Sequence, residues 1–220
     1  KQLSKSNDFV ILGESIPGGT TTALGVMLSL GIDAENKMSS SMPENPHSLK
    51  NTIVRKSMKK NNITFGSLKD KPFDAISLIG DPMIPSVTGI AQGVIDNGGR
   101  VMLAGGTQMC TILSILKSIN VKTDKVFVGT TKYIFNDPNA DFINLLLSID
   151  KDVGIFVVDL HLIESTKLGL KAFANGFVKE GVGAGGVSIA TMINSNGKLN
   201  GETLLKYIEN EYEKNIEKLH

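Results

Sequence analysis

The sequence predicts an α/β protein: a doubly wound, mostly parallel sheet of Rossmann-like, three-layer form with a helical part at its C-terminal end. Two patterns predict it. Short, nearly continuous apolar runs rich in β-branched residues suit strands that are buried on both faces, as parallel strands are. Longer amphipathic stretches alternate with those runs, and a β-α-β-α alternation lays consecutive strands side by side with helices over the faces.

In chain order, the apolar runs are "DFVILG" (Asp8 to Gly13), "FDAISLIG" (Phe73 to Gly80), "RVMLAGG" (Arg100 to Gly106), "KVFVGTT" (Lys125 to Thr131) and "GIFVVDL" (Gly154 to Leu160). Each is expected to be a strand. Helices are expected near Thr20 to Leu30, Pro46 to Lys60, Pro85 to Asp96, Met109 to Ser118 and Pro138 to Ser148. Beyond Leu160 the stretch "STKLGLKAFANGFVKEGVGAGGVSIATMI" holds no convincing strand, and Glu202 to Lys218 reads as a charged amphipathic helix. The layout expected is an α/β nucleotide-binding core over 1–160, with a catalytic loop and helices over 161–220 packed on it. The "NSNGKLNG" stretch (Asn194 to Gly201) is the one composition shift that resembles a linker.

Composition narrows the function. At 220 residues and 41% hydrophobic content the chain can bury one substantial core. Its 23 basic and 22 acidic residues leave a net charge of +1, so there is no electrostatic footprint for nucleic acid or a membrane surface. Cys110, the single cysteine, sits in an apolar helical run and reads as a core residue of a reducing-compartment protein. Without a signal peptide or an apolar run near about 18 residues, the expected location is the cytoplasm.

In an open parallel sheet, ligands bind beyond the carboxyl ends of the strands. Four expected strand ends carry small polar groups: "GESIPGGTTT", "GDP", "AGGTQM" and "GTTKY". Glycines admit a ligand to the backbone, hydroxyls add donors, and free amides at a helix N-terminus attract an anion. "PGGTTTALG" therefore reads as a phosphate or carboxylate cradle containing Gly18, Gly19, Thr20 and Thr21. It is not a Walker loop, since no lysine precedes the threonines, and it lacks GxGxxG spacing. Read alone, it is equally a tight strand-to-helix turn with a threonine N-cap.

Two further stretches add chemistry. "KEGVGAGG" (Lys179 to Gly186) surrounds Glu180 with glycines, which lets a ligand close on the carboxylate and desolvate it toward a useful proton acceptor. "SSSMPENPHSLK" (Ser39 to Lys50) leads into a helix start at Pro46, with Lys50 about one turn in; that lysine either reaches a phosphate or is a solvated helix residue. His47, His161 and His220 do not fall at ligand spacing, so no metal and no cofactor is called for.

These motifs, in this order, resemble nicotinate-nucleotide:dimethylbenzimidazole phosphoribosyltransferases, and most of all their divergent archaeal branch. "GESIPGGTTTA" is similar to that family's "GEMGIGNTT(T/A)A" loop, and "KEGVGAGG" to its "GEGSGAA". "GDPMIPSVTGIAQGVIDNGGRVMLAGGTQM" resembles the stretch that ends in "LDGF", and the likeness runs from Asp8 to Ile193. The chain departs from the pattern where "SIPGG" stands for "MGIGN" and "LAGG" for "LDGF", which adds a proline and removes an acid. The family's base-recognising segment lies ahead of the first loop and has no counterpart before Asp8, so a fragment is expected.

What the resemblance implies is transfer of the 5-phosphoribosyl group of nicotinate mononucleotide to a benzimidazole-type or purine base, giving the α-ribazole phosphate of cobamide lower ligands. It implies a homodimer, Glu180 as catalytic base and Glu14, the glutamate opening the phosphate-side loop, as a second catalytic residue that supports the developing charge or holds the ribose. Substrate binding falls to Gly18, Gly19, Thr20, Thr21 and Lys50, to Gly105 and Gly106, and to Gly181 and Gly183. A diphosphate-dependent phosphoribosyltransferase would need a paired-acid ribose loop, and in "VVDLHLIESTKLG" Asp159 is followed by Leu160. The non-enzymatic alternative is a nucleotide-binding or regulatory module on the same fold.

Overall fold

A computed structural model describes residues 7–178 and 183–219. Its centre is a four-stranded, all-parallel sheet in the order β1 (Phe9–Leu12), β2 (Arg100–Ala104), β3 (Val126–Thr131), β4 (Gly154–Val158). The register pairs Leu12 with Leu103, Leu103 with Val128, and Val128 with Ile155.

Between β1 and β2 lie α1 (Gly19–Ser29), α2 (His47–Lys60), α3 (Pro72–Ile79) and α4 (Met83–Ile95). Between β2 and β3 runs α5 (Thr107–Ser118), and between β3 and β4 run α6 (Lys132–Phe135) and α7 (Phe142–Ile149). After β4 come α8 (Leu168–Ala174), α9 (Ala184–Asn194) and α10 (Gly201–Asn215). The parallel α/β architecture is as the sequence predicts.

The strand period of two divides the apolar side chains between two cores. Leu12, Val101, Leu103, Val126 and Val128 join the helices that connect the strands. Met102 and Val158, with Phe9 and Ile11 beside them, face Ile189 of α9 and Leu204 of α10 instead. Helices thus cover both faces: the strand-connecting helices on one, the C-terminal helices on the other. In α5, Met109, Cys110, Ile112, Leu113, Ile115 and Leu116 have no exposed surface, so this helix is buried nearly all round rather than along one stripe. Burial pushes the Cys110 thiol well up from its usual range, as suits a core residue.

One expected strand is a helix. Phe73 to Gly80 forms α3, in which Pro72, Ala75, Ile76 and Ile79 are buried at the i, i+3, i+4, i+7 spacing of one helical face. Pro72 starts it with a backbone angle already set for a helix, while Phe73 and Leu78 remain exposed. The "GDP" that follows is therefore a helix-to-helix turn, not a strand end: Asp81 Oδ1 accepts from the N–H groups of Met83 (2.9 Å) and Ile84 (3.2 Å) and opens α4. The linker-like stretch joins α9 to α10 and caps the latter, where Asn200 accepts from Thr203 N–H and Thr203 Oγ1 accepts from Asn200 N–H.

The glycines before α9 have a packing reason. A β-carbon on Gly185 would lie 2.3 Å from the backbone carbon of Thr130, and one on Gly186 2.3 Å from Cβ of Ala104. Only glycine lets the N-terminal turn of α9 lie directly on the carboxyl ends of β2 and β3. Among the described residues, no helix is long and apolar enough to cross a membrane.

Candidate functional site

The parallel sheet brings the ends of β1, β2 and β3 to one edge, where a cleft of about 330 Å³ opens. Three stretches remote in sequence line it: Glu14 to Thr20 after β1, Ser39 to Ser41 before α2, and Gly106 to Gln108 at the start of α5. Ile134 of α6 and Val178 complete the wall.

The first wall is the cradle. Gly18, in the left-handed conformation (φ 73°), is the N-cap of α1, so the cap is a glycine and not a threonine. Its carbonyl accepts from Thr21 N–H at 2.8 Å. Gly18, Gly19 and Thr20 line the cleft at the positive end of α1, whereas Thr21 and Thr22 turn into its first turn. Thr22 Oγ1 bonds both the Gly19 carbonyl and the Asp81 carboxylate, which ties this turn to the start of α4.

The second wall is held from behind. Ser39 Oγ lies 3.0 Å from Thr107 Oγ1, and Ser39 N–H donates to the same oxygen at 3.2 Å. Lys50 is buried, and its ammonium donates to the Ser39 carbonyl. It stands beneath the serine wall and outside the cleft lining. Val178 N–H donates to Ser41 O at 2.8 Å, with Val178 itself at φ 54°, unusual for a β-branched residue.

Glu14 sits at the mouth, half-buried. Burial, the largest influence, pushes its carboxyl above the usual range; the Ile16 N–H (3.0 Å from Oε2) and the nearby Gln108 amide pull it back, and the Asp81 charge adds to the rise. Gln108 Nε2 is buried without a hydrogen bond of normal geometry. It fills the space that a β-carbon of Gly19 would need.

Of the remaining expected site residues, Gly106 lines the cleft, and Gly105 is buried behind it, its N–H bonded to Gly129 O at 3.0 Å. Gly183, the left-handed N-cap of α9 (φ 76°), is packed so that a β-carbon would meet Ala104 and, at 3.1 Å, Cα of Gly13 beside Glu14. Glu180 and Gly181 lie outside the described residues. The "AGGTQM" and "SSSMPENPHSLK" stretches both reach the cleft, but the sequence assigns no site role to Ser39 to Ser41, Thr107 or Gln108 individually; the available signal was the "GGTQ" pair of glycines, which exposes the next two side chains at a helix start.

Asp159 is engaged elsewhere. Burial opposes its charge, but the Lys132 ammonium at 2.5 Å and the His161 N–H at 2.8 Å hold its carboxyl below the usual range. His161 Nδ1 in turn lies 2.9 Å from Glu164. Among the described residues no group of three or more His, Cys, Asp or Glu side chains converges as metal ligands would.

The chain is similar to UPF0284 proteins. With that of Methanosarcina mazei it shares 44% identity over 186 residues, 84% of this chain and 52% of the relative. With that of Methanocaldococcus jannaschii it shares 40% over 208 residues, 93% of this chain and 57% of the relative. With that of Methanopyrus kandleri it shares 38% over 219 residues, 99% of this chain and 56% of the relative. These relatives are archaeal. The chain spans about half the length of the curated relatives it matches. No family model matches it.

Proposed function

We propose that this cleft holds nicotinate mononucleotide and that the protein transfers its 5-phosphoribosyl group to a benzimidazole-type or purine base. The observation that carries the reading is a convergence. The Glu14 loop, the α1 N-terminus and both flanks of the Glu180 stretch, Val178 and Gly183, come together at the carboxyl edge of the sheet. Resemblance of the same stretches to the phosphoribosyltransferase loops supports it independently.

In this reading the amides at Gly18 to Thr20 hold the 5′-phosphate and so fix the ribose for attack. The nitrogen of the incoming base bonds to the anomeric carbon from the face opposite the pyridinium. The glycosidic bond breaks with its electron pair on the pyridine nitrogen, and nicotinate leaves. The second N–H of the attacking base loses its proton to Glu180, the general base. Glu14, close to the positive charge that develops on the sugar, stabilises it or holds the ribose.

The test is incubation of the protein with nicotinate mononucleotide and a panel of benzimidazoles and purines, with products resolved by chromatography and binding followed by calorimetry. An α-ribazole-type phosphate is the expected product. Binding of the mononucleotide without product favours the nucleotide-binding module, and neither binding nor product overturns the reading of the cleft.

A further inference from the structure

Gln108 is the second residue of α5 and faces Glu14 and Gly19 across the cleft. Its Nε2 is buried with no hydrogen-bond partner, an uncommon condition for a side-chain amide and one that calls for a cause. The amide lies 2.1 Å from the point where a β-carbon of residue 19 would stand, so the glycine there makes room for it. Glu14 has one carboxylate oxygen, Oε2, engaged by the Ile16 N–H. Gln108 also bears on this carboxyl, lowering its proton affinity, and the second oxygen is the one that the Ile16 N–H leaves open.

We propose that Gln108 is the positioning residue of Glu14: when Glu14 ionises, its second carboxylate oxygen accepts a hydrogen bond from Gln108 Nε2, which locks the carboxylate at the head of the cleft. A carboxylate held at both oxygens by neutral donors has one orientation, whereas one held at a single oxygen rotates about its terminal bond. The arrangement also explains why α1 and α5 begin at the same edge with glycine at 19 and glutamine at 108: the two helix starts are fitted to each other around one amide. The groups that bear on Glu14 from the elements around it are the Ile16 N–H of its own loop, neutral Gln108 of α5 and, as the charged one among the described residues, Asp81 from the turn before α4. Asp81 opposes ionisation and Gln108 favours it. The inference deepens the reading of this cleft as a mononucleotide site and rests on it for the use made of Glu14.

The test needs no substrate. The Glu14 carboxyl is titrated by ¹³C NMR in the wild-type protein, in Gln108→Met, which keeps the bulk and removes the donor, and in Gln108→Glu, which keeps the shape and replaces the donor with an acceptor. Gln108→Met should raise the proton affinity of Glu14 at least about threefold, and Gln108→Glu should raise it further. A Glu14 that titrates as in wild type in either folded variant overturns the proposal. Product formation with an unchanged Glu14 titration would refute the role of Gln108 alone, whereas a shifted titration in a protein that makes no product would refute the transfer reaction alone.

Discussion

A β-carbon placed at position 19 probes the cradle directly. On the observed backbone, the added atom of Gly19→Ala would lie 2.1 Å from Gln108 Nε2, 2.9 Å from Gln108 Cδ and 2.7 Å from Ile16 Cγ2. Those atoms belong to side chains, so they can yield, but the Gln108 amide is buried and must displace its neighbours. Overpacking of this kind costs about 1–3 kcal/mol, and in a chain of this size each 1 kcal/mol lowers Tm by about 2–4 °C. Binding should suffer separately. If the substituent and the displaced Gln108 keep a phosphate from one charge-assisted amide contact, about 1.5–3 kcal/mol is lost, or roughly 10- to 100-fold in Kd. Gly18→Ala is the contrast. Its β-carbon meets nothing within 4 Å, and it pays only for the left-handed backbone at φ 73°, about 1–2 kcal/mol. Calorimetric titration with nicotinate mononucleotide and with inorganic phosphate, beside thermal denaturation of the same samples, measures both effects. Unchanged mononucleotide affinity in Gly19→Ala, with the expected loss of Tm, would refute the cradle.

Other outcomes follow from the same geometry. Glu180→Gln should lower turnover by about 10²–10⁴ while mononucleotide binding changes little; unchanged turnover in Glu180→Gln with loss in Glu14→Gln would make Glu14 the base. Glu14 titrates above its ordinary value of 4.5 in the folded state, so the folded protein binds this proton more tightly than the unfolded chain does. Its contribution to stability is whole below 4.5 and is lost as pH rises through the raised folded value, so Glu14→Gln should match wild type in acid and exceed it near neutrality. Denaturant midpoints of the two proteins compared across that window check the sign, and a Glu14→Gln protein that is less stable only at neutral pH would reverse it. Gly185→Ala should be more damaging than Gly18→Ala or Gly19→Ala: its β-carbon would meet the backbone of Thr130 and Thr131 at 2.3–2.5 Å, where no side chain can move aside. A loss of about 3 kcal/mol or more in urea unfolding is expected, against about 1 kcal/mol or less if α9 is free to lift from the sheet.

Four of the five expected strands are strands; the central pair, β2 and β3, is buried nearly throughout as parallel strands are, while β4 leaves Phe156 and Val157 exposed. Phe73 to Gly80 misled for a physical reason. A stretch of eight residues, five of them hydrophobic, is short enough to read as a buried strand, and only the tertiary structure shows that Pro72, Ala75, Ile76 and Ile79 are the ones buried. The N-cap of α1 is a similar case. Threonine hydroxyls favour that place by propensity, but the chain leaves β1 in a turn that needs a left-handed residue, and Gly18 takes it.

The site divides in the same way. Strand-end logic reached Glu14, Gly18, Gly19, Thr20 and Gly106, because in a parallel sheet any loop after a strand opens at one edge. The stretches that hold Thr107, Gln108 and the serine wall stand out in the sequence as "AGGTQM" and "SSSMPENPHSLK", but no local pattern assigns those side chains to the site. Ser39 and Thr107 are hydrogen-bonded across 68 positions of sequence, and Gln108 meets Gly19 only because α1 and α5 start side by side. Lys50 shows the limit most plainly: one turn into a helix, it was within reach of a phosphate by spacing, yet the fold turns its ammonium to the Ser39 carbonyl. Period and composition act over a few residues and determine which elements form and which edge of the sheet is open. Which side chains share that edge, and which of them are left with an unused donor or a raised pKa, depends on contacts between distant segments and on desolvation, and those exist only once the layers have packed.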